Sequence, residues 1–326
     1  MHRNIKLPKR IYFILFILLA SCELFSRATP LTPAVTPQPA SLIPTSASGG
    51  IAGFRDQLAV ADQFFLTLSA IPAPPNGQTY QGWLLGGDGT TLSTGIISLA
   101  PDGSAALTWN SPTSENLLNR YAQFQITLEP VMGSVTPTGK VVYSGGLEGV
   151  ALENARRLFV KNDSEPATPL DTAFANGLRA ETDLAVQHVI NAVNAAAIGS
   201  LDEMRAHLEH VINILEGASG PHFGDHDGHG IAENPGDGFG VIGYAGQMAS
   251  LLPEDAAIVE INASIQTQGA LIQEKCLEIL KIEDIAGASV PLSELQTLID
   301  PFKTNLVDRL YLAAQKTIQF EIVTVE

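Results

Sequence analysis

The sequence predicts a multi-domain chain, an N-terminal antiparallel β-sandwich followed by a C-terminal four- or five-helix bundle. Two observations predict it. Up to about residue 160, short apolar runs are punctuated by Gly, Pro, Asn and Asp, the signature of strands and turns. Beyond the prolines near 164–169 the apolar spacing changes to the helical period.

The order of elements starts with an export signal. Arg3, Lys6, Lys9 and Arg10 precede the apolar run of residues 11–20, IYFILFILLA. A basic stretch followed by a short apolar one has the form of a secretory signal, and the run is too short to cross a bilayer as a helix. Leu19-Ala20-Ser21-Cys22 closes it. This tetrad resembles the bacterial lipobox, which implies that residues 1–22 form a lipoprotein signal peptide, that the chain is cut before Cys22, and that Cys22 is acylated (palmitate or a similar chain). The implied location is the cell membrane, lipid-anchored, on the extracytoplasmic side. Residues 23–52 follow as a linker rich in Pro, Thr and Ser, with Pro30, Pro33, Pro37, Pro39 and Pro44 favouring extended backbone.

Composition limits the partners. The whole chain has 18 basic and 34 acidic residues; without the four basic residues of the signal, 14 remain against 34, a formal charge of −20. Such a surface repels phosphate backbones and anionic headgroups, so nucleic acid is not expected as a partner and membrane attachment rests on the acyl chains. With Cys22 used by the anchor, Cys276 has no intrachain partner and reads as a small buried apolar residue.

Residues 53–160 form the β domain of this reading. Strands are expected at 64–68, 80–85, 95–99, 105–109, 121–128 and 140–143, separated by PAPPNG at 72–77, GGDG at 86–89 and Pro101-Asp102-Gly103. Tyr80-Gln81-Gly82-Trp83, Asp88-Gly89, Gly95, Asp102-Gly103, then Phe124 through Pro130, Gly133-Ser134 and Pro137-Thr138-Gly139 occur in that order. Together they resemble the extracytoplasmic C-terminal domain of anti-sigma-K factors, over about 90 residues. Met132 departs from that pattern, where the family often has Gly. The resemblance implies a β-sandwich used outside the cytoplasmic membrane for sensing or protein contact. With only ten residues before the apolar run, no sigma-binding function is expected to carry over. Read as chemistry, the motif is bland: Tyr80 and Trp83 as strand and core aromatics, the glycines as turns, Glu129-Pro130 as a strand end.

Residues 165–326 form the helical part. Leu170, Phe174, Leu178, Ala185, Val189 and Ala196 share one stripe of a helix running to about Ala197. Ser200 to Glu203 has capping-box spacing for a second helix to about Leu215. Further helices are expected at 239–251, from Pro253 to about Ile282, and over 292–320 with a bend near Pro301. All histidines except His2 lie between 188 and 229. His188-Val-Ile-Asn191 is echoed by His210-Val-Ile-Asn213, and Glu181 and Glu203 each stand seven residues before their histidine. On antiparallel neighbours these segments face each other, so His188, His207, His210 and Glu203 are candidate ligands of a metal or haem site. On a helical wheel, however, His210 points away from the stripe of Leu201, Met204, Leu208, Val211 and Leu215, as a solvated histidine would.

The loop 222–240, HFGDHDGHGIAENPGDGFG, is EF-hand-like. Asp225, Asp227, His229 and the carbonyl of Ile231 occupy ligand positions, with Glu233 or Asp237 completing an oxygen shell for calcium. His222, His226 and His229 suit zinc, copper or nickel instead, and a metal-free glycine turn is the third reading. With no HExxH, GxSxG or second cysteine pair, no enzyme is expected. The expected function is that of a membrane-anchored binding or sensing lipoprotein with an unknown protein or cell-envelope partner; the alternative is transition-metal or haem binding and delivery.

Overall fold

The computed structural model describes residues 48–325, so the signal, Cys22 and all of the linker up to residue 47 lie outside the described residues. Eight strands form one continuous antiparallel sheet: β1 (Gly49–Arg55), β2 (Gln63–Ser69), β3 (Gln78–Gly86), β4 (Thr91–Ile97), β5 (Ala105–Asn110), β6 (Tyr121–Pro130), β7 (Lys140–Gly146) and β8 (Gln319–Thr324). Their order is β4-β3-β6-β7-β8-β1-β2-β5, and the two end strands, β4 and β5, approach one another, so the sheet is nearly closed. This corrects the expected sandwich of two sheets. β2 alternates buried and exposed residues after Phe65 while β3 is buried on both faces from Tyr80 to Leu84, and Phe54, Phe64, Leu66, Leu84 and Phe124 are fully buried. Phe64 stacks on Phe124 with ring centroids 4.7 Å apart and meets Phe54 edge-on at 5.9 Å.

The key strand is the last one. β8 lies between β1 and β7, with Gly50 opposite Ile322 and Ser144 opposite Val323. Its slot is narrow. A Cβ on Gly49 would stand 2.4 Å from the Ile322 carbonyl oxygen, and one on Gly145 2.0 Å from that of Glu321, so glycine is required on both sides. The expected ranges shift accordingly. The last four residues assigned to the linker, 49–52, belong to β1, and the sheet draws on residues 319–324, of which the first two fall in the expected helix 292–320 and all in the expected helical part. The described residues belong to one compact unit.

Seven α-helices are described: α1 (Gly149–Phe159), α2 (Phe174–Ala197), α3 (Leu201–Glu216), α4 (Val241–Leu251), α5 (Ala256–Leu280), α6 (Ser289–Pro301) and α7 (Asp308–Ala314). The first was not anticipated; it occupies the end of the expected β domain. α6 and α7 run on through a π-helical turn, Phe302–Val307, directly after Pro301, whose missing N–H breaks the regular ladder there. Leu170 leaves the expected stripe: it sits in a 3-10 turn with φ +54° and is fully exposed. Ser200 makes no side-chain cap, which corrects the capping box, and Asp255 rather than Pro253 opens α5 by accepting from the N–H groups of Ala257 and Ile258. Helices and sheet are keyed together by Asp56, which accepts from the Tyr311 hydroxyl at 2.6 Å and faces Arg179 at 3.7 Å. No helix among the described residues is long and apolar enough to cross a membrane.

Candidate metal centre

α2 and α3 are joined by three residues, Ile198–Ser200, with Gly199 at φ +81°. So tight a reversal makes the helices antiparallel neighbours and turns His188 on α2 toward His207 and His210 on α3. The Nδ1 atoms of His188 and His207 are 3.1 Å apart, and those of His188 and His210 3.2 Å. His188 is buried and the other two are half-buried. His210 does not face solvent as the wheel suggested, because the 217–240 loop covers that side of α3. Glu203 is exposed and does not join the three.

The protons of this cluster can be followed. His210 Nε2 lies 3.1 Å from Glu233 Oε2. A carboxylate oxygen only accepts, so Nε2 carries a proton, and in the neutral ring Nδ1 turns its lone pair to the cluster. His188 Nδ1 then has two imidazole nitrogens at bonding distance and a single in-plane position, either one proton or one lone pair, with which to answer both. Burial first, then the neighbouring His210 and His207, push the His188 pKa down to about 4. Burial and His210 lower that of His207 as well. Both rings are therefore neutral at pH 7, the ligand form of imidazole. Nitrogens about 2.0–2.1 Å from a shared ion and 90–109° apart are separated by about 2.8–3.4 Å, a range that holds both spacings from His188. The residues present fit a transition-metal ion.

The loop between α3 and α4 is held by buried polar groups beneath it. Fully buried Glu209 accepts from the backbone N–H groups of His226 at 2.6 Å, Asp227 at 3.0 Å and Glu233 at 2.7 Å. Buried Asn213 donates to the carbonyls of Gly224 and Glu233 and accepts from the Gly224 N–H. Glu181 accepts from the Asp237 N–H at 3.0 Å, while its second oxygen is buried without a partner. Burial raises the Glu181 pKa, the Asp237 N–H pulls it back and the Asp237 carboxylate raises it again, to about 7.

The expected calcium ligands divide among these contacts. Asp225 accepts from the N–H groups of Gly228 and Gly230, and Asp227 from the backbone and ring of His229. Asp225, Asp227 and His229 do come together, with Glu209 as a fourth member that the loop motif does not contain. Glu233 turns instead to His210 and His229, and Asp237 accepts from the Tyr244 hydroxyl and the Phe239 N–H. Ile231 is exposed. Sequence reading missed Glu209 altogether. The available signal was its position one residue before His210, on the side of α3 away from the leucine stripe. Cys276 is fully buried, its thiol pKa pushed up by desolvation, and takes no part.

A second polar cluster lies in the sheet. Glu129, buried at the end of β6, accepts from the hydroxyls of Thr127, Ser134 and Thr138 and from the N–H groups of Thr138 and Gly139, all at 2.7–3.0 Å. Thr127 in turn accepts from the Trp83 ring N–H at 2.8 Å, and Gln81 bonds the Ser134 backbone at both its N–H and its carbonyl. Gln81, Trp83, Thr127, Glu129, Ser134, Thr138 and Gly139 of the ordered motif thus form one hydrogen-bonded knot, while Asp88 and Asp102 bond only within their own turns. Residues 26–141 match the family model of anti-sigma-K factor rskA, C-terminal. This anti-sigma-K C-terminal match covers about a third of the chain, spans β1–β6 and the start of β7, and leaves all seven helices and β8 outside it. No curated protein and no solved structure matches the chain. Within the matched region the knot gives Glu129 five donors and a structural role, where the sequence alone suggested only a strand end.

Proposed function

We propose that the chain is a lipid-anchored, extracytoplasmic binding or sensing protein, without catalytic activity, that holds a transition-metal ion between α2 and α3. The observation that carries this reading is the convergence of three imidazole Nδ1 atoms at 3.1 and 3.2 Å. A bound ion would give His188 the single partner that its two neighbours cannot both be. Glu233 would act as the carboxylate that orients a ligating histidine, fixing the His210 tautomer. The anti-sigma-K C-terminal match supports an extracytoplasmic setting, and the Leu19–Cys22 lipobox supports the anchor.

Titration of the chelated mature protein with zinc, copper, nickel and calcium tests the metal. An ion that binds only the folded state stabilises it by about 2.7 kcal/mol at a hundredfold excess over Kd. The melting temperature is expected to rise by roughly 5 °C. His188→Ala removes the shift and Asp225→Ala leaves it intact. A rise with calcium alone, lost in Asp225→Ala and kept in His188→Ala, would move the site to the loop, where Glu209, Asp225, Asp227 and His229 offer oxygen-rich donors within 4.8 Å of one another. If no cation moves the melting curve, the triad is a packing feature.

The anchor has its own test. Cells fed a labelled fatty acid should label the parent chain and not Cys22→Ala, whose precursor stays uncut. Normal labelling of that variant ends the lipoprotein reading.

A further inference from the structure

The two ends of the nearly closed sheet differ in chemistry. At one end the helices leave and re-enter: β7 ends at Gly146 before α1, and β8 begins at Gln319 after α7. The opposite rim is built by the β2–β3 loop (70–77), the β4–β5 loop (98–104) and the β6–β7 loop (131–139), with the chain entering at Ser48 and Gly49 beside them. In a protein of formal charge −16, these three loops contain one charged residue, Asp102. They expose Val131, Met132 and Val135, at 61, 88 and 95 %, alongside Pro72, Pro75 and Pro101.

This exposure is enforced by the fold. The Glu129 knot and Gln81 clamp Ser134, the Gly133 N–H bonds the Pro130 carbonyl at 2.6 Å, and the Val131 N–H bonds the Gly77 carbonyl. The β6–β7 tip therefore cannot fold its valines and methionine inward. A fixed apolar tip among loops that carry a single charge marks a contact surface.

We infer that this rim rests on the lipid bilayer to which the chain is tethered, with Val131, Met132 and Val135 entering the boundary between headgroups and acyl chains. Two observations select a bilayer as occupant. The chain joins the body at Ser48 in this rim, so a tether at Cys22 leads into this end of the sheet. The near absence of charge, on a chain otherwise strongly acidic, removes the repulsion that the rest of the surface would meet at a membrane. The inference rests on the tether proposed above.

The test couples residues 22–326 through the Cys22 thiol to a maleimide lipid in phosphatidylcholine vesicles; Cys276 is buried and does not compete. Tryptophan placed by Met132→Trp is expected to shift its emission to the blue and to be quenched by brominated acyl chains. Leu170→Trp, on a fully exposed residue of the helical part, shows neither. In the unsubstituted chain, coupling should slow peroxide oxidation of Met132. Adding Val131→Asp and Val135→Asp to the Met132→Trp chain abolishes the quenching. If Met132→Trp is unshifted on vesicles and Met132 oxidises at its free rate, the rim does not meet lipid. If the shift appears without vesicles and grows with protein concentration, the rim is a contact between copies, and the inference fails equally. Because the coupling is chemical, a chain that cells never acylate would defeat the tether reading without altering this measurement.

Discussion

Removing residues 319–326 is expected to abolish cooperative folding of the whole body. β8 is the strip between β1 and β7, and without it the sheet has two new open edges and loses Phe320 and Ile322 from its interior. Burying one such side chain is worth about 1.5–3 kcal/mol, so the pair alone approaches a large share of the 5–15 kcal/mol by which domains are stable. The fragment 51–160, which holds the whole β domain expected from the sequence at 53–160, is expected to be unfolded for the same reason. Far-ultraviolet circular dichroism and urea titration read both. The point variant Ile322→Asp should lower the urea midpoint strongly while the chain still expresses. A truncated chain that unfolds cooperatively at the parent's midpoint would show that β8 is an ornament on a complete sheet.

The second large effect belongs to Glu129. Burial on its own would raise this carboxyl, but the bonds from Thr138, Gly139, Thr127 and Ser134 outweigh it and hold the pKa at about 2. The ordinary value is 4.5, so the folded state favours the charged form. The resulting stabilisation is complete above about pH 4.5 and is lost as the pH falls from there toward 2. Glu129→Gln keeps the volume but replaces an acceptor with an amide that points N–H groups at donors. The expected cost is about 2–4 kcal/mol at pH 7, from the broken charge-assisted bonds. The variant should also lose part of the parent's destabilisation between pH 5 and 3. Thermal melts of both chains across that range measure it; equal melting temperatures at pH 7 would mean the knot contributes nothing.

How much of this was legible depended on whether a residue's partner was near in sequence. Strands β2, β3, β5 and β6 were readable because their alternation and turn residues are local, and α2 and α3 because their apolar stripes are. The meeting of His188 with His207 and His210 followed from the short link at Gly199. What failed involved distant partners. Glu209 looks like any surface acid on a helical wheel until a loop residues later in the chain folds over it. The segment 319–324 alternates well enough for a strand, yet it follows α7 so closely that the expected helix 292–320 runs into its first two residues. The motif from Trp83 to Gly139 was recognised as a pattern, but its meaning, a shared buried carboxylate, required three strands to be brought together. The EF-hand-like spacing predicts an oxygen shell that Glu233 or Asp237 completes; in the folded chain these two turn to His210 and Tyr244 instead.

The position of β8 also sets a clock. Gly50 and its partner Ile322 are more than 250 residues apart in the chain, so the strip that completes the sheet is among the last parts of the body to be synthesised. Until it arrives, β1 and β7 offer bare backbone to any passing strand, the condition in which chains aggregate. Contacts of such long sequence separation also form slowly. If the chain is exported as proposed, a sheet that closes only with its last strand delays folding until the chain is across the membrane, and the open edges must be guarded there against wrong strand pairing.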